Sequence, residues 1–110
     1  MKDNKLLAEY MGNKVKEFTW HDSVVLIPEH SDPITDNLTD IYIWNPKTDW
    51  NQLMMVVEKI EGEDEWIDVS ISRNHCCIDK GDSTIVPTNW QIKTKIEAVY
   101  NACVEYIKSK

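Results

Sequence analysis

The chain has 110 residues, of which 42% are hydrophobic and 28% are charged, and its formal net charge is −7 at pH 7. This size and composition predict one globular domain over residues 1–110 and exclude an intrinsically disordered chain. The acidic balance argues against direct nucleic-acid binding and against a polybasic membrane anchor, because both need clustered Lys and Arg.

Three further features bear on where such a protein works. The apolar runs are all much shorter than the roughly 18 residues that cross a bilayer, and the first residues lack the apolar core of a signal peptide. The three cysteines, two of them adjacent, do not form the pattern of a secreted disulfide framework. We therefore expect a cytoplasmic protein with no membrane partner.

Residues 4–44 predict one helix and two strands, with a loop between the strands. Asn4–Met11 has an amphipathic helical pattern that ends at a glycine, and Val24–Ile27 is an apolar run typical of a buried strand. Glu29–Asp40, rich in Pro, Asp, Asn, Ser and Thr, predicts a loop. Ile41–Trp44 predicts a short strand because β-branched and aromatic residues alternate there.

Asp49–Glu61 is predicted to be the second helix. Asp49 with Gln52 three residues later fits a capping box, and Gly62 provides the stop. The apolar residues recur at helical spacing, so they predict one buried face. That face comprises Trp50, Leu53, Met54, Val56, Val57 and Ile60.

Three strands and a last helix are predicted in the remaining chain. Trp66–Ser72 alternates apolar and polar residues, which indicates a strand with one wet face. Turns lead from it to His75–Ile78 and then to Thr84–Val86. Thr94–Lys108 carries a capping box and an apolar stripe at helical spacing. The stripe comprises Ile96, Val99, Tyr100, Cys103 and Ile107.

These elements predict an α+β fold. The order is α-β-β-α-β-β-β-α, with a mainly antiparallel sheet of four to five short strands packed with three helices. The polar face of Trp66–Ser72 favours a two-layer arrangement.

Three blocks of sequence carry a resemblance to a known family. NKLLAEYMG (Asn4–Gly12), DWNQLMMVVEKIE (Asp49–Glu61) and KIEAVYNACVEYIK (Lys95–Lys108) resemble small phage and prophage proteins of Bacteroidetes, described as phage ABA-sandwich domains. The resemblance covers about a third of the chain, with strands between the blocks in the expected order. It implies a phage or prophage origin and a sheet with helices on both faces, which leaves an α/β/α sandwich open as the alternative fold. It carries no activity and no catalytic residue.

The sequence offers little for metal binding or catalysis. His75 and Cys77 point to one side of a strand and Cys76 to the other, without the paired spacing of a zinc site. His21, between Trp20 and Asp22, has no nucleophile at a recognisable spacing. We therefore predict no metal, no cofactor and no catalytic residue, and an enzyme is the less favoured interpretation.

Two sets of residues are candidates for binding. Tryptophans outside the strong helix stripes, with nearby basic residues, predict a pocket for a nucleotide-like ligand. This set comprises Trp20, His21, Trp44, Trp66, Arg73, His75, Lys80 and Trp90. The second set is an acidic run that predicts a protein contact, comprising Glu58, Glu61, Glu63, Asp64 and Glu65.

The favoured functional prediction is a non-enzymatic phage or prophage protein that sequesters a nucleotide-like immune signal in the infected bacterium. The first alternative is an acidic module that blocks a nucleic-acid-binding or defence protein of the host. The second alternative is a small hydrolase acting on a nucleotide signal. We also predict a homo-oligomer, because a domain this small gains core by pairing.

Overall fold

The computed structural model describes residues 2–20, 22–30, 32, 43–88, 92 and 94–109. Its elements are α1 (Lys2–Tyr10), β1 (Val15–Trp20), β2 (Ser23–Pro28), α2 (Trp50–Gly62), β3 (Ile67–Ser72), β4 (His75–Lys80), β5 (Ser83–Val86) and α3 (Lys95–Lys108). The α+β class is confirmed, and the order of elements matches the prediction roughly, although one sheet was predicted. The described strands form two antiparallel sheets, β1-β2 and β3-β4-β5.

The chain divides into two compact units, Met1–Asn45 and Pro46–Lys110. The first contains α1 and the β1-β2 hairpin, and the second contains the three-stranded sheet with α2 and α3. Compactness does not decide whether a unit folds on its own. The prediction of one domain over residues 1–110 therefore stays a prediction.

In the first unit, β1 and β2 form a hairpin, of which the sequence predicts only the second strand. Val15 pairs with Pro28 and Trp20 with Ser23, so two residues connect the strands. Asp22, in this connection, has φ 64°, a left-handed conformation that Asp tolerates better than most residues. The predicted strand Val24–Ile27 is confirmed within β2, whereas no strand was predicted for β1.

Trp44 ties α1 to β2. Its side chain is fully buried, its backbone N–H donates to the Leu26 carbonyl at 2.8 Å, and its Nε1–H donates to the Asn4 carbonyl at 2.7 Å. Asn4 also donates to the Asn45 side chain at 3.1 Å. Trp44 forms an isolated bridge to Leu26, so the predicted strand Ile41–Trp44 is reduced here to one bridge. Positions 41 and 42 lie outside the described residues, as does most of the predicted loop 29–40.

Helix α2 begins where the capping pattern predicts. The Asp49 carboxylate accepts the backbone N–H of Gln52 at 3.2 Å, which satisfies one of the unpaired donors of the first turn. Leu53, Val56, Val57 and Ile60 are buried, as predicted. Two expected members of the face, Trp50 and Met54, are instead exposed over 39% and 36% of their surface. They lie together on one flank of the helix, because residues at i and i+4 share a side.

The three-stranded sheet has one apolar and one polar face. Ile67 is paired with Lys80, Val69 with Ile78 and Ile71 with Cys76, so the apolar side chains of β3 and β4 share a face. Helix α2 packs against β3, and α3 packs against all three strands. Three polar residues on the other face of β3 are exposed, as predicted: Asp68, Ser70 and Ser72. The second unit is therefore a two-layer arrangement of helices and sheet.

Helix α3 supplies much of the core of this unit. The Thr94 hydroxyl accepts the backbone N–H of Glu97 at 3.3 Å, so the predicted cap is confirmed. The buried face is wider than the predicted stripe and comprises Ala98, Val99, Tyr100, Ala102, Cys103, Val104 and Tyr106. Ile96 and Ile107, at its margins, are half-buried.

Val99 provides a test of this core. Val99→Asp places a carboxylate at a fully buried position, so we expect a loss of at least about 3 kcal/mol in the free energy of unfolding. Lys95→Asp is the matched control, because Lys95 is exposed in the first turn of α3, where a negative charge is favourable. Circular dichroism with urea denaturation measures both. Equal stability of the two variants would contradict the assignment of the buried face.

Candidate functional site

Among the described residues of the second unit, those predicted to bind a ligand do not meet in one place. Trp44 is buried in the first unit, where its indole N–H is used by Asn4. The Trp20 side chain and residues 21 and 90 lie outside the part of the chain that the structure describes. Four members remain, all in or beside the three-stranded sheet: Trp66, Arg73, His75 and Lys80.

These four side chains belong to opposite ends of the β3-β4 pair. Trp66 and Lys80 are at the end where β3 begins, since Ile67 pairs with Lys80. Arg73 and His75 are at the other end, where Ser72 pairs with His75. A strand of six residues spans about 17–20 Å. The four residues therefore cannot line one nucleotide-sized pocket.

The His75-Cys76-Cys77 segment occupies β4. Cys76 is buried on the apolar face, whereas His75 and Cys77 belong to the polar face, opposite Ser72 and Ser70. Burial, and secondarily a neighbouring cysteine, raises the pKa of Cys76 to about 12, and the same causes raise that of Cys103 to about 12. Within the described residues, no group of three or more His, Cys, Asp or Glu side chains could hold a metal ion.

A groove of about 730 Å³ lies between α3 and the end of β5. Its walls include Cys76, Val86, Ala98 and Ala102, with Asn101 and Glu105 as the polar groups on the helix side. None of the predicted ligand-binding residues lines it, and no Lys or Arg is present among its described lining residues. A phosphate group would find no cationic partner there.

The acidic turn after α2 is held by specific contacts. We define the acidic surface as Glu58, Glu61, Glu63, Asp64 and Glu65. The Tyr106 hydroxyl donates to Glu63, and Lys80 Nζ lies 3.2 Å from the Asp64 carboxylate. Asp64 also accepts the backbone N–H of Trp66 at 3.0 Å. The Trp66 N–H, followed by Lys80, lowers the pKa of Asp64.

Trp66 follows directly and is exposed over 65% of its surface. Its backbone carbonyl accepts the N–H of Gly81 at 2.9 Å, which anchors the residue at the sheet end while the indole remains in solvent. Glu58, Glu61 and Glu65 are also exposed. Along α2, the exposed side chains of Trp50, Met54 and Met55 add apolar surface. The helical pattern predicts Trp50 and Met54 to be buried. Trp50 and Met54 share one flank of the helix with the exposed Glu61, and this spacing is a sequence signal for their exposure.

Comparison with known proteins adds no identification. The chain matches no protein-family model, no curated protein and no solved structure. In the described residues, no helix has both the length and the apolar character needed to traverse a bilayer.

Tyr106 predicts a pH dependence of stability. Burial, followed by the hydrogen bond to Glu63 and the negative charges of Glu63 and Asp64, raises the pKa of Tyr106 to about 12. The unfolded chain releases this proton near pH 10, so the contribution is complete below about pH 10 and is lost towards about pH 12. We expect the free energy of unfolding to fall more steeply over this interval in the wild type than in Tyr106→Phe. Urea denaturation at several alkaline pH values measures both slopes, and equal slopes would contradict the contact.

The thiols give a second test. Cys77 is half-buried, whereas Cys76 and Cys103 are buried with raised pKa values, and the thiolate is the reactive form. Ellman's reagent at about pH 8 should label one of the three cysteines rapidly in the native protein and all of them in guanidinium. Cys77→Ser should abolish the rapid phase. Rapid labelling of a second thiol would show that the β4–α3 packing is wrong.

Proposed function

We infer that this protein is a protein-binding module whose acidic surface, together with Trp66, engages a basic surface of another protein. The observation that supports this most directly is the 65% exposure of Trp66 beside the acidic turn. Tryptophan is enriched among the residues that dominate binding energy at interfaces. A large indole left in water next to carboxylates is therefore better explained by a partner than by folding.

Charge favours a basic partner. The chain carries a net charge of −7, which attracts cationic surfaces over long distances and raises association rates. Glu63 and Asp64 are fixed by Tyr106 and Lys80, so part of the acidic surface is ordered before any partner arrives. Such preorganisation reduces the entropy lost on binding.

The geometry favours this function over sequestration of a nucleotide-like signal. Lys80, one of the basic residues predicted to meet phosphate, forms an ion pair with Asp64. The groove between α3 and β5 offers a phosphate no cationic group among its described lining residues. Nucleotide sequestration and hydrolysis of a nucleotide signal stay predictions without a located site.

The biological setting of the proposal comes from the sequence resemblance to phage ABA-sandwich proteins. In that setting, the module would act in the cytoplasm of the infected bacterium and block a host protein that binds nucleic acid or takes part in defence. An array of carboxylates with a fixed geometry can occupy a surface that otherwise contacts phosphates. A basic nucleic-acid-binding protein is thus a suitable target class.

The test uses a synthetic amphipathic helix with Lys on one face and Leu on the other, and measures binding by fluorescence anisotropy. Trp66→Ala should weaken binding at least about tenfold, and its melting temperature should be unchanged because the side chain is exposed. Val24→Ala, at an exposed apolar residue in the first unit, is the control and should bind as the wild type does.

A second pair of variants separates local from overall charge. Glu58→Gln, Glu61→Gln and Glu65→Gln together should weaken binding strongly. Glu9→Gln, Glu17→Gln and Glu29→Gln change the net charge equally at exposed positions of the first unit. Equal weakening by the two triple variants would mean that only overall charge matters, and the proposed surface would be wrong.

A further inference from the structure

Helix α3 places small residues at two successive turns along the groove between α3 and the end of β5. Ala98 and Ala102 line the groove from the helix, while Cys76 and Val86 line it from the sheet. Residues at i and i+4 share one side of a helix, so the two alanines form a continuous strip. The groove volume of about 730 Å³ lies within the range of about 300–1,000 Å³ in which proteins hold small molecules.

The floor of this groove is apolar. The four residues just named are all buried. Burial, followed by the neighbouring Cys77, raises the pKa of Cys76 to about 12, so the thiol is uncharged at neutral pH and behaves as a small apolar group. The other walls are mainly apolar and include Ile85, Pro87, Thr88 and Ile92. An apolar group that enters the groove leaves water, which favours its binding.

The rim of the groove on α3 is polar. Asn101, Glu105 and Ser109 follow one another at intervals of four residues, so they form a line along the helix beside the alanine strip. Asn101 is half-buried, whereas Glu105 and Ser109 are exposed. The Ser109 hydroxyl donates to the Tyr106 carbonyl at 2.7 Å, which leaves its oxygen as an acceptor. The rim therefore offers a carboxylate, an amide oxygen and a hydroxyl oxygen.

Charge decides what kind of molecule the groove accepts. Glu105 is the one charged residue among the described lining residues, and its carboxylate has no ion-pair partner in that part of the chain. An anion in the groove would meet this carboxylate without a compensating Lys or Arg among the same residues. A cation would meet a carboxylate and further oxygen acceptors. The groove is therefore complementary to a molecule with an apolar body and a positively charged end.

We propose that this groove is a binding site for a small primary amine, with the apolar body on Ala98 and Ala102 and the ammonium group at Glu105. An ammonium group has three N–H donors, which suits a rim that carries several oxygen acceptors. The two parts of the site act together. An exposed ion pair alone contributes little, and the apolar floor alone does not distinguish an amine from a neutral molecule of the same shape.

The site is separate from the proposed protein contact. Trp66 and the residues of the acidic surface are not among the described residues that line the groove. Trp66→Ala should therefore weaken binding of the basic peptide and leave binding of the amine unchanged. The two proposals consequently fail or succeed separately.

Isothermal titration calorimetry of the full chain with three matched probes tests the ligand class. The probes are naphthylethylamine, naphthylethanol and naphthylacetate, which share an apolar body and carry positive, zero and negative charge at neutral pH. The amine should bind at least about threefold more tightly than the alcohol, and the carboxylate should bind most weakly. Absence of amine binding, or an affinity for the alcohol equal to that for the amine, would overturn the proposal.

A pair of charge variants tests the role of the rim. Glu105→Gln should reduce the affinity for the amine to that for the alcohol, and the affinity for the alcohol should not change. Glu29→Gln is the control, because it changes the net charge equally at an exposed position of the first unit, and it should bind the amine as the wild type does. An equal loss in both variants would mean that overall charge attracts the amine, which would contradict the site.

Methyl NMR spectra of the wild type locate the bound amine. Saturation with naphthylethylamine should shift the methyl signals of Ala98 and Ala102 and leave that of Ala8, which is buried in the first unit. Ala102→Leu should fill the groove and weaken binding of both the amine and the alcohol. The wild-type spectra decide the location even where this variant does not fold. Unshifted signals of Ala98 and Ala102 at saturation would overturn the site.

Discussion

The packing of α3 against the three-stranded sheet is the constraint on which the second unit depends. Helix α3 contacts β3, β4 and β5, and its buried face includes Val99, Cys103 and Tyr106. A small domain has little apolar area to bury, so the broad face of α3 provides a large part of its stability. Helix α3 packs against one face of the sheet, which is apolar, and the opposite face of β3 is polar.

This packing also positions the acidic surface. Tyr106 lies on the buried side of α3, and its hydroxyl reaches Glu63 in the turn that follows α2. Asp64, the residue after Glu63, forms an ion pair with Lys80 of β4. The backbone bond between Gly81 and Trp66 then holds the exposed indole at the sheet end. Glu63 and Asp64 thus take their positions from contacts with α3 and with the sheet.

The sequence predicts the elements better than it predicts their exposure. Caps and helical periodicity depend on neighbouring residues, so α2 and α3 could be located closely from Asp49 and Thr94. Strand β1 was missed because Lys16 and Glu17 interrupt its apolar pattern. The acidic run is visible in the sequence. The burial of Trp44 and the exposure of Trp66 are not, since each depends on contacts with residues distant along the chain.

The proposed partner binding follows from one property of the second unit. In the described part of this unit, α2 and α3 cover one face of the sheet, and Asp68, Ser70 and Ser72 on the other face are exposed. The turn between α2 and β3 leaves carboxylates and the Trp66 indole exposed at the start of β3. Carboxylates favour a cationic partner. Glu58, Glu61 and Trp66 are exposed at this end of the sheet and are therefore accessible to a basic surface of a different protein.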